Sequence, residues 1–158
     1  MLKNLLGGIW RRFPRWLRRW TVERIETSFT ATTAAIIIDE QNRILLLNHV
    51  FRPGSGWGIP GGFINSGEQP EDAIKRELKE EIGLELQEVE LLFVRTLRSF
   101  NQVQIIFRGN VHGIPKTKGL EIIEAAWFDL DKLPPDLSQD ERGLISRGLG
   151  QRRSGTDL

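Results

Sequence analysis

The chain has 158 residues, 39% of them hydrophobic, a net charge of +1 and no cysteine, a length that suits one domain with its own core. The lack of cysteine excludes disulfides, thiolate metal sites and cysteine nucleophiles, and fits a reducing, cytoplasmic setting. With only two histidines, His49 and His112, any metal is expected on oxygen ligands, which favours magnesium or manganese over zinc.

The charge is unevenly spread. Residues 1–26 carry seven basic side chains against two acidic ones, a balance of +5, and the remainder stands at −4. In that first segment Leu2, Leu5, Leu6, Ile9, Trp10, Phe13, Leu17 and Trp20 recur at helical spacing between arginines, which predicts a basic amphipathic helical arm over 2–25, divided at Pro14. No run reaches the roughly 20 apolar residues of a membrane span. The apolar stretch 30–38 runs into Asp39-Glu40-Gln41-Asn42 without a small-residue cleavage site, so it reads as a strand and not as a secretory leader.

Residues 29–38 and 43–50 are apolar, partly β-branched runs around a polar turn, and are expected to form an antiparallel pair. Pro53, Gly54, Gly56, Gly58, Pro60, Gly61 and Gly62 mark 51–62 as loop. Pro70 followed by Glu71 and Asp72, with Gly83 as a stop, predicts a helix over 70–82. Beyond it, 89–98 and 103–111 read as a second strand pair and 125–129 as a further strand. Ser138-Gln139-Asp140-Glu141 has capping-box form and should open a C-terminal helix; the polar tail 151–158 is expected to be disordered.

The helix over 70–82 carries the chemistry. At about 100° per residue Glu77, Glu80 and Glu81 fall within an arc of about 100°, so three carboxylates share one side while Ile74, Leu78 and Ile82 form an apolar stripe next to it. Like charges at this spacing repel, and a bound divalent cation turns the repulsion into coordination. The alternative is a solvated acidic face.

The wider spacing decides between the two. Gly62-Phe-Ile-Asn-Ser-Gly-Glu68, seven residues, then Arg76-Glu77-Leu78-Lys79-Glu80-Glu81-Ile82-Gly83-Leu84 resembles the complete box of the Nudix hydrolases, G-x5-E-x7-R-E-U-x-E-E-x-G-U with U aliphatic. The resemblance extends to Gly58-Ile59-Pro60-Gly61-Gly62 before the box and to Trp127-Phe128-Asp129-Leu130 with Leu133-Pro134 after it. It covers residues 28–150, taken as the domain between the arm (1–26) and the tail.

The resemblance implies an α/β fold, a mixed sheet sandwiched between helices, and hydrolysis of a diphosphate linkage by water under Mg²⁺, with Mn²⁺ as a substitute. It implies that Glu77, Glu80 and Glu81, with the Gly62 carbonyl, hold the metal, and that Glu68 and Arg76 support them. A bidentate pair from Arg76 can fix a glutamate rotamer, and Glu68 can tie loop to helix; the plainer alternative for each is a surface ion pair. Glu121 and Glu124, before Trp127, stand in the region of the family's late glutamate and are candidates for general base or further ligand, or are solvated loop carboxylates.

The box leaves the substrate open. There is no tyrosine, which many dinucleoside polyphosphate members carry downstream of the box; Phe100 stands where ADP-ribose members often have proline; the upstream signature of coenzyme A members is missing. A small nucleoside di- or triphosphate derivative is the default, and nucleic acid is not the expected substrate. Trp57, Phe100 and Phe107 could stack on a base or pack in the core, and Gln102 and Gln104 could read a base edge. Two alternatives stand beside this reading: an RNA 5′-end pyrophosphohydrolase, and a Nudix-fold binding module without catalysis. The arm invites contact with an anionic membrane surface, docking on the chain's own domain, or pairing in a homodimer.

Overall fold

The computed structural model describes residues 14, 28–52, 54–118 and 120–150. The helical arm, apart from Pro14, and the tail lie outside the described residues. Among the described residues seven strands and two α-helices follow in the order β1 (Thr30–Ile37), β2 (Arg43–His49), β3 (Trp57–Gly58), β4 (Gly61–Phe63), α1 (Pro70–Ile82), β5 (Leu86–Leu97), β6 (Gln102–Val111), β7 (Ile122–Asp129) and α2 (Gln139–Gly150), with a 3-10 turn at Arg98–Phe100.

The strands form two sheets, one in the order β4-β1-β6-β5 and the other β3-β2-β7. Burial explains the division. Ala34 to Ile37 and Ile44 to Leu47 are each four consecutive residues with almost no exposure, so both faces of β1 and β2 are covered, as in central strands. Alternation along a strand sends neighbours to opposite sides. Ala35, Ile37, Leu45 and Leu47 meet Ile74, Leu78 and Ile82 of α1 in one core. Ala34, Ile36, Ile44 and Leu46 meet Leu144 and Ile145 of α2 in the other. The sheets are therefore enclosed by helices, the α/β/α arrangement implied by the sequence, and each fully buried Ile or Leu contributes roughly 1.5–3 kcal/mol.

One expected pairing is overturned. β1 and β2 are not partners in one sheet; between them backbone pairing is limited to the isolated antiparallel bridge Ile38–Ile44 just beyond β1, and their side chains meet in the cores. β1 instead runs parallel to β6, from Thr30–Gln102 to Ile37–Gly109, and antiparallel to β4. A polar turn between two apolar runs signals a reversal but not which edges pair, and strands buried on both faces can separate into different sheets. The stretch 51–62 is also not all loop, since β3 and the start of β4 lie in it. β5–β6 pair antiparallel as expected.

α1 has the expected bounds. Pro70 sits in its first turn, and Gly83 closes it in the left-handed region (φ 71°), its N–H donating to the Lys79 carbonyl. At α2 only half of a capping box forms. Ser138 Oγ accepts the Glu141 N–H at 3.2 Å, while the Glu141 carboxylate turns to Ile59 and Arg52. No helix among the described residues is long and apolar enough to cross a membrane.

Candidate active site

The apolar stripe of α1 fixes where its acids go. With Ile74, Leu78 and Ile82 buried, Glu77 and Glu81 lie at the edge of the core, with side chains 16% and 11% exposed, and Glu80 stands out at 62%. Burial pushes the Glu77 carboxyl up, against the pull of Arg76. Glu81 is pushed up to about 8, chiefly by burial, then by the charge of Glu77, with Glu121 and Glu80 adding and Arg52 opposing. One of its oxygens, Oε2, is buried without a hydrogen-bond partner.

Arg76 organises the rest. Its Nε and one terminal nitrogen donate to both oxygens of Glu68 at 2.8 and 3.0 Å, and the same terminal nitrogen reaches the Phe63 carbonyl at 3.0 Å. The other terminal nitrogen donates to Glu77 at 2.9 Å and Glu80 at 3.1 Å. Glu68 also accepts the Asn65 N–H at 2.9 Å, and these bonds, Arg76 foremost, hold its carboxyl down at about 2. The bidentate pair thus goes to Glu68, binding the box loop to the helix. At Gly62 a Cβ would overlap the Glu77 carboxylate, so a side chain there would push that carboxylate out of its present place beside β4.

The donor set suits a hard divalent cation. It consists of oxygens, it is crowded and partly desolvated, and it includes an orphaned buried carboxylate oxygen whose charge burial disfavours. Among the described residues no preformed cluster of three ligating side chains is present, because Glu77 and Glu80 are turned to Arg76.

Of the late glutamates, Glu121 is the one whose charge bears on Glu81. The loop that delivers it is tied to the end of α1, Lys116 and Lys118 donating their N–H groups to the Ile82 and Glu81 carbonyls at 2.9 and 2.8 Å, and its own carbonyl accepts Val50 N–H at 2.9 Å. Glu124 is exposed on β7, in register with Asn48. Among the candidates for base contact, Gln102 donates to Thr32 Oγ1 at 2.6 Å and Gln104 accepts from Arg95 at 2.8 Å. Phe100 is 69% exposed. Trp57 is half-buried, edge-on to Phe128 at 4.9 Å. Phe107 is fully buried, so it belongs to the core and not to a stacking surface.

Sequence reasoning passed over three neighbours of the site. His49 Nδ1 lies 3.8 Å from Glu81 Oε1, and its Nε2 is buried without a partner. Burial, then Arg52, brings its pKa down to about 4, so at neutral pH this contact is not an ion pair. The signal was available: His49 follows Leu45 and Leu47 at two-residue steps on the strand face turned to α1. Arg52 and Glu141, paired at 3.3 Å across 89 positions, carry no local signal.

Known proteins with this construction are numerous, and the NUDIX domain family model matches residues 28–148. The chain belongs to this family. An ADP-ribose pyrophosphatase of Methanocaldococcus jannaschii is 37% identical to this Nudix chain over 114 residues, 69% of this chain and 67% of that protein. An m7GpppN-mRNA hydrolase of Caenorhabditis elegans is 34% identical over 121 residues, 72% of this chain but 15% of that protein, so the Nudix chain spans only a small part of that relative. The crystal structure of a MutT NUDIX hydrolase from Burkholderia pseudomallei superposes with a TM-score of 0.68 at 29% identity, covering 77% of this chain and 98% of that one. The chain is thus a Nudix hydrolase of the kind that acts on diphosphate linkages.

Proposed function

We propose that the chain hydrolyses a diphosphate linkage in a nucleoside diphosphate derivative or nucleoside triphosphate, using Mg²⁺ held by Glu77, Glu80, Glu81 and the Gly62 carbonyl. The observation that carries this is Glu81: a carboxylate buried beside Glu77 with one oxygen unpartnered is costly as structure alone and is relieved by a bound cation. Mg²⁺ bound there supplies neutralisation of phosphate charge and a lowered pKa for coordinated water. The protein's part is to orient. Arg76 holds Glu77 and Glu80 in reserve, Glu68 fixes Arg76 and the box loop, and Glu121 is the glutamate we assign as general base, because its charge is felt at Glu81. Gln102 and Gln104, with Phe100 and Trp57, are the side chains proposed for contact with the nucleoside part.

A panel of nucleoside triphosphates, ADP-ribose and triphosphorylated or capped RNA, assayed with Mg²⁺ or Mn²⁺ and scored by phosphate and nucleotide products, tests this reading. Turnover of a small nucleotide is the expected outcome, and no turnover of any member would overturn it. Preference for RNA would instead support the 5′-end reading, which the likeness to an m7GpppN-mRNA hydrolase favours. Retention of all three box carboxylates argues against a binding module without catalysis. Apart from catalysis, the composition of residues 1–26, with Trp10, Trp16 and Trp20 among arginines, supports peripheral contact with an anionic lipid surface, in a protein that the lack of cysteine fits to the cytoplasm.

A further inference from the structure

Arg52 follows β2 by three residues, and its guanidinium meets Glu141 in the first turn of α2. Its Nη1 donates to Glu141 Oε1 at 3.3 Å and its Nη2 to the Ile59 carbonyl at 3.5 Å, while the Ile59 N–H donates to Glu141 Oε2 at 3.4 Å. The three residues close a ring in which Glu141 uses both oxygens and Ile59 both backbone groups. Gly58 completes the slot: a Cβ there would fall on the guanidinium. Gly58 is not among the positive-φ residues, so its lack of a side chain provides room and not conformational freedom. The Glu141 side chain is only 15% exposed, and burial disfavours its charge. A buried ion pair is weak evidence for stability, since apolar groups of similar size often serve as well. Gly58 is paired with Leu47, whose side chain packs against Ile74, Leu78 and Ile82 of α1, so a guanidinium held over Gly58 lies on the face of the sheet that carries the box helix.

We propose that Glu141 is a positioning residue that holds the Arg52 guanidinium over Gly58, so that the first turn of α2 fixes a positive charge beside the carboxylates of α1. The inference rests on the site assignment above. It explains why Glu141 turns away from the capping box and why β3 ends in a glycine. The side chain of Glu141 acts through Arg52.

Three variants reach Arg52 by different routes: Glu141→Gln removes the charge that holds it, Gly58→Ala fills its slot without changing any charge, and Arg52→Gln removes it. With GTP and ADP-ribose as probes at saturating Mg²⁺, each is expected to lower kcat by about tenfold or more, the range typical of residues that orient a site, with KM nearly unchanged. The double variant Glu141→Gln/Arg52→Gln should be no slower than Arg52→Gln alone. The Arg52 Nε–H cross-peak in a nitrogen–proton spectrum of the full chain should move in both Glu141→Gln and Gly58→Ala. Multiplying losses in the double variant, or full kcat in Glu141→Gln while the Arg52 cross-peak moves, would overturn the proposal. If the unaltered protein hydrolyses neither probe nor any other member of the panel, the functional reading fails, and the cross-peak still decides the clamp: unmoved in both variants, it sinks it. Should Glu141→Gln fail to fold, Gly58→Ala carries both readouts.

Discussion

Arg76 and Arg52 both bear on the carboxylates of α1, and they are held in opposite ways. Arg76 belongs to the helix itself and gathers Glu68, Glu77 and Glu80 at 2.8 to 3.1 Å. Three acids on one guanidinium leave a negative balance, which is what a divalent cation needs. Arg52 comes from a loop, has its acid in the other helical layer, and bonds at 3.3 to 3.5 Å. The first arrangement is local and set by spacing along one segment. The second exists only once both layers have closed, so it reports on the whole fold.

The largest effect should come from the carboxylate that neither arginine bonds. Glu81→Gln is expected to lower turnover by well over the tenfold that corresponds to about 1.4 kcal/mol of barrier, with the fold intact because volume is kept. Near-normal turnover with unchanged Mg²⁺ affinity would remove Glu81 from the site. Next comes the late pair: at saturating Mg²⁺, Glu121→Gln should depress kcat clearly more than Glu124→Gln, and equal, negligible effects would move the general base into the box.

A smaller, thermodynamic effect sharpens the contrast without any substrate. In the metal-free protein Glu81 has its pKa raised from 4.5 to about 8, so the stability it contributes is fully present below about 4.5 and is lost as pH rises through about 8. His49, lowered from 6.5 to about 4, contributes stability that is present above 6.5 and lost as pH falls through about 4. The two oppose each other between about 4.5 and 6.5. Of the two, only Glu81 acts above that, so thermal unfolding in EDTA should show Tm falling by a few degrees from pH 6.5 to 8. Glu81→Gln should flatten this slope, and a slope unchanged by that substitution would show that Glu81 is not its source.

The smallest effect on catalysis is expected from the arm. Deleting residues 1–26 should leave kcat on a small nucleotide unchanged while abolishing sedimentation with acidic vesicles at low salt. No vesicle binding by the full chain, together with insolubility of the truncated one, would instead favour docking of the arm on the domain.

How much of this was legible in the sequence depended on locality. Pro70, the Glu71-Asp72 pair and Gly83 state the bounds of α1 in adjacent residues, and the box spacing marked Glu77, Glu80 and Glu81. The reach of Arg76 to Glu68 was readable because eight positions in one motif separate them. The division of β1 and β2 between two sheets was not, because a polar turn is equally compatible with a hairpin and with strands that part; the unbroken apolar runs Ala34–Ile37 and Ile44–Leu47 were the clue. His49 stands far from the other histidine in the sequence, and only strand alternation carries it to the face turned to α1. Arg52 and Glu141 meet only through tertiary structure.

The register shift at the end of β2 has a consequence for how such a site can change over time. Asn48 is opposite Glu124 and His49 opposite Ile122, so Ile123 is passed over in the ladder. Strand faces invert with a slip of one residue. A single-codon insertion or deletion between Glu121 and Glu124 would therefore reset which late acid is offered to the helix while every box residue stayed in place. Descendants of one ancestor could in this way exchange their proton acceptor by counting alone, without inventing a new one.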